Sequence, residues 1–226
     1  MNKKKRLALC VAAAMLFALI PVVFVSAYIT EPLDLTILTE DADGPGWTWD
    51  FASRTLYLNE FEIDTRNVSG NDPAIALPSG STIVLAEGSE NHISNILTTS
   101  YRSGIYCEGD LLITGDGKLV MEGVNASAIL VDGDLRIDEI DSLFITGGLP
   151  WSTAIEAEGS ITLSNIQSVT ARARFDGIIA GQALLIENVN HLELELSDVE
   201  AGQKALAGQS ITLENCNDIT LVLSGI

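Results

Sequence analysis

The sequence is poor in aromatic residues, histidine, cysteine and positive charge. Aromatics are 6% of the 226 residues, so any core must be built from aliphatic side chains. Three cysteines, one of them Cys10 in the first 27 residues, are too few for a disulfide-framed domain. Twelve basic residues face 31 acidic ones, a formal charge of −19, and such a surface repels phosphate backbones and disfavours nucleic-acid binding. No segment after residue 27 carries a helical stripe of apolar side chains. The chain is not an acidic disordered tail either, because its 47% hydrophobic content is spread along the length and can bury a core.

The one long apolar run lies at the start. Lys3, Lys4, Lys5 and Arg6 precede a stretch from Leu7 to Val25, and Val25 and Ala27 are the small residues at minus three and minus one of a cleavage before Tyr28. Residues 1–27 read as a secretory signal peptide, with an uncleaved membrane anchor as the alternative, because the run is about as long as a membrane span needs. Both readings place the remainder outside the cytosol, secreted or at the cell surface. Removing this segment takes away four bases and no acid, leaving 31 acids against 8 bases and a charge of −23.

What is present is a repeat. A small residue followed by an aliphatic recurs at Ala74-Ile75, Gly104-Ile105, Ala128-Ile129, Ala154-Ile155, Gly177-Ile178 and Ala205-Leu206, with spacings of 30, 24, 26, 23 and 28 residues. Seven, nine, twelve, fifteen and seventeen residues after Ala128 stand Leu135, Ile137, Ile140, Leu143 and Ile145. The same offsets give Ile161, Leu163, Ile166, Val169 and Ala171, then Leu184, Ile186, Val189, Leu192 and Leu194. The last unit repeats them one residue short, as Ile211, Leu213, Cys216, Ile219 and Leu221. Leu56, Leu58 and Phe61 keep the i, i+2, i+5 spacing and predict an incomplete unit upstream.

Within a unit the aliphatics alternate with polar residues, which is strand period, and the runs are broken by Gly, Asp and Asn. The pattern predicts an all-β chain, a parallel β-helix of three short strands per coil and about six coils, behind an N-terminal entry hairpin. Residues 28–70 are expected to form that cap with a partial coil, and 71–226 the repeats. An antiparallel β-sandwich would not need the same offsets in successive units. Asn165, Asn188 and Asn215 fall in one column with Glu139, either as an internal amide ladder or as residues tolerating a left-handed bend at an exposed turn. Cys107 and Cys216 fall in different columns, so no disulfide is expected between them; both read as small buried fillers.

Three segments carry a resemblance: GWTWDFASRTLYLNEFEI (46–63), SGSTIVLAEGSENHIS (79–94) and SGIYCEGDLLITGDGKLVMEG (103–123). They resemble the secreted bacterial β-helical "carbohydrate-binding domain-containing" proteins of the pectate-lyase-like superfamily. The resemblance covers residues 46–123 and implies a right-handed parallel β-helix that binds acidic or cell-wall polysaccharide, in some cases with calcium, without demonstrated cleavage.

Catalytic signals are weak. The arginines lack the R-x-P-x-x-R arrangement expected of pectate lyases, and Arg172 and Arg174, though on one strand face, have no carboxylate beside them in sequence before Asp176. The N-T-D, D-D, G-H-G and R-I-K segments of polygalacturonase-type hydrolases are absent. His92 and His191 stand in N-H contexts that read as exposed turns rather than a general base. A polysaccharide lyase is therefore the least supported reading.

Two groups of residues are candidates for binding. Repeat register stacks Glu108, Asp132 and Glu158 at one position and Asp110 and Asp134 two residues on. On rungs about 4.8 Å apart these carboxylates would repel, and calcium bridging the rungs would relieve that; a solvated acidic edge is the plainer account. Glu193 and Glu195 are a second outward pair, while Glu40, Asp41 and Asp43 lack the spacing of a calcium loop. Trp47, Trp49 and Trp151 could stack on sugar rings, although for the first two capping the open end of the coil is the commoner role. The leading functional reading is an exported, non-catalytic polysaccharide-binding β-helix of the cell envelope, with calcium as its cofactor if the acidic column binds metal. A structural or adhesive surface protein with a β-helix spacer is the alternative. Gly225-Ile226 reads as the anchor of a further unit with nothing to cap it, which raises end-to-end self-association or a capping partner.

Overall fold

The computed structural model describes residues 28–66, 68, 70, 72–95, 103–124, 126–147, 152–197 and 202–224. Among these residues there are strands and turns and no helix, as the missing helical periodicity predicts. The recurrent small-plus-aliphatic pairs form one sheet. Strands Leu33–Asp34, Ile75–Leu77, Ile105–Cys107, Ser127–Val131, Thr153–Ala157, Ile178–Ala180 and Leu206–Ala207 pair in that order, all in parallel. Ile75, Ile105, Ile129, Ile155 and Ile178 lie in one register and are fully buried, so each coil places its branched side chain on its neighbour's. Each such burial contributes about 1.5–3 kcal/mol, and β-branched residues suit the pleat.

Two further faces complete each turn of this β-solenoid. The second runs through Thr55–Leu58, Ser81–Leu85, Leu111–Thr114 and Leu135–Asp138, and the third through Glu62–Asp64, Glu90–Ser94, Lys118–Val124 and Ser142–Gly147. In the next two coils the faces merge into single bent strands, Ile161–Ala173 and Ala183–Ser197, followed by Ser210–Glu214 and Asp218–Ser224. The steps are regular. Ile75 to Ile83, Ile105 to Ile113, Ile129 to Ile137, Ile155 to Leu163 and Ile178 to Ile186 are each eight residues, as are Ile113 to Met121, Ile137 to Ile145, Leu163 to Ala171 and Ile186 to Leu194. Coil length varies chiefly in the return from the third face to the first, seven residues from Ala171 to Ile178 but twelve from Leu194 to Leu206.

The bend between second and third faces resolves the asparagine column. Glu139, Asn165, Asn188 and Asn215 all have left-handed backbone, with φ of 57°, 54°, 53° and 52°. Asparagine is the non-glycine residue best suited to that conformation. Their amides also form a ladder, Asn188 Nδ2 donating to Asn165 Oδ1 (3.1 Å) and Asn215 Nδ2 to Asn188 Oδ1 (3.2 Å), but it runs along the exposed surface rather than inside. Internal amides occur earlier in the chain. Asn91 accepts from the Phe61 N–H and donates to Ser89 Oγ and the Lys118 carbonyl, and Asn95 accepts from Thr65 and donates to the Ser103 carbonyl. Both are wholly buried and satisfied.

The upstream coil is present in a different register from the one its spacing implies. Leu56 pairs with Ile83 and so belongs to the column of Ile113 and Ile137, two positions beyond Leu135. Phe61 lies beside Asn91, in line with Leu119 and Leu143 rather than with Ile140. The coil is also fuller than a fragment, since Leu33–Asp34 already pairs with the first face and Ile29 bridges Ile63. It is interrupted by the entry hairpin, in which Ala42–Gly44 and Trp47–Asp50 are antiparallel and Trp47–Asp50 is antiparallel to Thr55–Leu58. At the other end Ile211, Leu213, Ile219, Leu221 and Leu223 occupy or extend the ladder positions but are exposed. Both Cys107 and Cys216 are free thiols; Cys107 is buried, whereas Cys216 is only half-buried.

Candidate functional site

The bend between the first and second faces is built from a glycine followed by a polar residue: Gly109-Asp110, Gly133-Asp134, Gly159-Ser160. The glycine is required by the coil below. A Cβ on Gly133 would lie 2.4 Å from Asp110 Oδ1, and one on Gly159 would lie 2.2 Å from Asp134 Oδ1. That oxygen has a partner: Asp110 Oδ1 accepts the Asp134 N–H at 2.8 Å, and Asp134 Oδ1 accepts the Ser160 N–H at 2.7 Å. Each carboxylate thus caps the backbone of the next coil, a charge-assisted bond that repetition passes along the axis.

The five acids of the two columns divide. Asp110 and Asp134 line a shallow groove of about 400 Å³, together with residues 80–82, Leu111, Leu112, Leu135, Arg136, Ser160 and Thr162. Glu108, Asp132 and Glu158 are exposed, and none of them belongs to the groove lining. Asp132 Oδ2 accepts the Tyr106 hydroxyl at 2.7 Å, and that bond pushes the phenol pKa up to about 12. Among the described residues no group of three or more His, Cys, Asp or Glu side chains is arranged to hold a metal ion. One oxygen of Asp110 and one of Asp134 are bonded to backbone N–H groups, and since calcium takes six to eight oxygens this pair alone does not complete its shell.

The groove runs across four coils, so on rungs about 4.8 Å apart it is roughly 14 Å long. It offers carboxylate acceptors, the hydroxyls of Thr82, Ser160 and Thr162, the half-buried side chain of Leu112 and one cation, Arg136, whereas the Ser81 hydroxyl is buried and donates to the Pro78 carbonyl. Arg136 Nη2 donates to Asp138 Oδ2 at 2.6 Å. Burial works to raise the Asp138 carboxyl, but hydrogen bonds from Ser164, Arg136 and Asn165 outweigh it and hold it below the usual carboxylate range. Sequence reading reached Asp110 and Asp134 through their column; Arg136, Thr82 and Thr162 were missed, although they share one outward register on the second face.

The tryptophans behave differently from one another. Trp49 is fully buried and presents no face to a sugar; it fills the core beneath the entry hairpin. Trp47 is half-buried against Gly44, where a Cβ would lie 2.3 Å from its indole nitrogen, and both indole N–H groups are buried without a partner. Trp151 lies outside the described residues.

On the third face, Glu193 and Glu195 point outward while Leu192, Leu194 and Leu196 are buried, as alternation predicts. Arg172, without a carboxylate beside it in sequence, receives two from the next coil: Glu195 at 3.0 Å and Glu193 at 3.6 Å. Its guanidinium also lies 5.9 Å from the Phe144 ring centroid. His92 and His191 sit on strands rather than in turns, at 2.9 Å from Glu90 and Asp218 respectively.

Stacked parallel coils with a polar axial groove define a β-solenoid. A family model described as carbohydrate-binding domain-containing protein matches residues 51–182, more than half of the chain, and the chain belongs to that family. The matched stretch contains every residue lining the groove. No curated protein and no solved structure matches the chain.

Proposed function

We propose that this chain is an exported, non-catalytic module that binds a polysaccharide along the groove of Asp110, Asp134 and Arg136. The observation that carries the reading is the groove itself: one strip of acceptors, hydroxyls and an apolar side chain drawn from four successive coils, wholly within the family match. Rung spacing close to the length of a sugar ring lets successive sugars meet equivalent groups. Carboxylates suit sugar hydroxyls as acceptors, and Leu112 offers a surface for C–H groups. An acidic glycan would meet one cation against two anions, so a neutral glycan, or one carrying sparse uronates near Arg136, fits better. The signal peptide supplies export, and retention at the envelope would follow from the glycan.

Affinity electrophoresis of the chain against soluble neutral and uronate polysaccharides tests this. Arg136→Ala is expected to weaken binding about tenfold, or about 1.4 kcal/mol, with the fold intact by circular dichroism. Calcium added to chelator-treated protein should change neither affinity nor melting temperature; a rise in both would restore a calcium-bridged uronate site. Retention by none of the polysaccharides, together with binding to protein partners, would establish the adhesive or spacer role instead.

A further inference from the structure

The bend between the second and third faces carries not one row of amides but two. Gln167, Asn190 and Asn217 stand two residues beyond Asn165, Asn188 and Asn215, separated by the inward Ile166, Val189 and Cys216. Asn190 Nδ2 donates to Gln167 Oε1 at 2.6 Å, and Asn217 Nδ2 to Asn190 Oδ1 at 2.8 Å. The inner row is explained by its left-handed backbone, but Gln167 and Asn190 lie in strand backbone that any residue adopts. Nothing in the local conformation demands an amide there, and all six amide residues are exposed. A primary amide has two N–H donors and two acceptor sites, and the ladder bond to each neighbour uses only part of them. Asn165 also donates to Asp138, and the groups that remain on these exposed residues recur at about 4.8 Å. The first rung of each row, Asn165 and Gln167, lines the end of a second groove of about 680 Å³ that extends over the preceding coils, while the other four amides lie outside it.

We infer that this double carboxamide strip is a second polysaccharide-binding surface, specific for uncharged glycans. Free donors and acceptors in alternation match sugar hydroxyls, which are both. The groove at the end of the strip is lined by Glu87, Asp116, Glu139 and Asp141, so a uronate chain is rejected by like charge while a neutral chain is not. The inference rests on the glycan-binding reading above but on a different corner of the coil. Two surfaces on one chain make the protein bivalent and able to cross-link polymer strands.

The test uses the chain with a soluble mixed-linkage β-glucan and a galactomannan as neutral probes and polygalacturonate as the charged one. Gln167→Ala/Asn190→Ala should weaken neutral-probe retention at least a further tenfold beyond that of Arg136→Ala alone, and should by itself abolish the turbidity that the wild-type chain produces with the β-glucan. Gln167→Glu/Asn190→Asp, which keeps the side-chain shapes, should do the same, so that a folding defect in the alanine variant does not decide the matter. Polygalacturonate should show no retention that depends on these residues. Unchanged retention and turbidity in both double variants would overturn the strip and leave the first groove standing. Loss only in the strip variants, with Arg136→Ala silent, would support the strip and overturn the groove; no retention of any probe would overturn both.

Discussion

The two described bends of each coil solve the same geometric problem with opposite chemistry. At the Asp110 and Asp134 corner the side chain is removed by glycine, and the carboxylate of the coil below occupies the vacated space and bonds the next N–H. At the Asn165 and Asn188 corner the side chain is kept, and the backbone instead adopts a left-handed residue whose amide joins a surface ladder. The first is limited by volume and the second by conformation. Each leaves an axial row of polar groups on the outside, and these rows are the two surfaces proposed to bind glycan.

Substitutions that act on one constraint only would break the contrast. Gly133→Ala should cause the largest loss, about 1–3 kcal/mol, because the methyl group meets Asp110 Oδ1 at 2.4 Å and the Asp110 nitrogen at 2.7 Å. Thermal unfolding measures it, and a melting temperature equal to wild type would mean that this corner is loose. Asn188→Ala should cost about 1–2 kcal/mol, and Asn188→Gly should recover most of it because glycine adopts the same φ freely. Equal melting temperatures for the two variants would shift the stabilisation from backbone conformation to the amide ladder.

The smallest effect is on acidification. Asp138, bonded to Arg136 at one side and to Asn165 at the other, has a folded pKa below its ordinary value of 3.8. Its contribution is therefore fully present above that ordinary value and is lost as pH falls through the folded value. Melting temperature followed down to about pH 3 should fall less in Asp138→Asn than in wild type, and parallel curves would remove this link between the corners.

Much of the fold was legible because inward positions repeat at fixed steps and tolerate only aliphatics. Ile129, Leu135, Ile137 and their equivalents announce the coils without knowledge of any contact. The first coil was harder, since the hairpin through Trp47–Asp50 separates Leu33 from Leu56 and leaves an i, i+2, i+5 match that fits two registers. The site was half legible. Asp110 and Asp134 were found as a column, but their bonds to the next coil join residues 24 and 26 positions apart, and the ion pairs of Arg172 likewise come from the neighbouring coil. Burial of Trp49 depends on how the hairpin folds over the ladder end, which composition does not encode.

The unequal steps of the coil have a practical meaning for change over time. Two of the three connections are eight residues in most coils, the step of ten from Ile83 to Ile93 being absorbed in its turn, so an insertion within a strand there would displace its ladder positions. The return from the third face to the first already ranges from seven to twelve residues within one molecule. New loops, and with them new specificities, can be grafted at that edge while the scaffold beneath keeps its pitch.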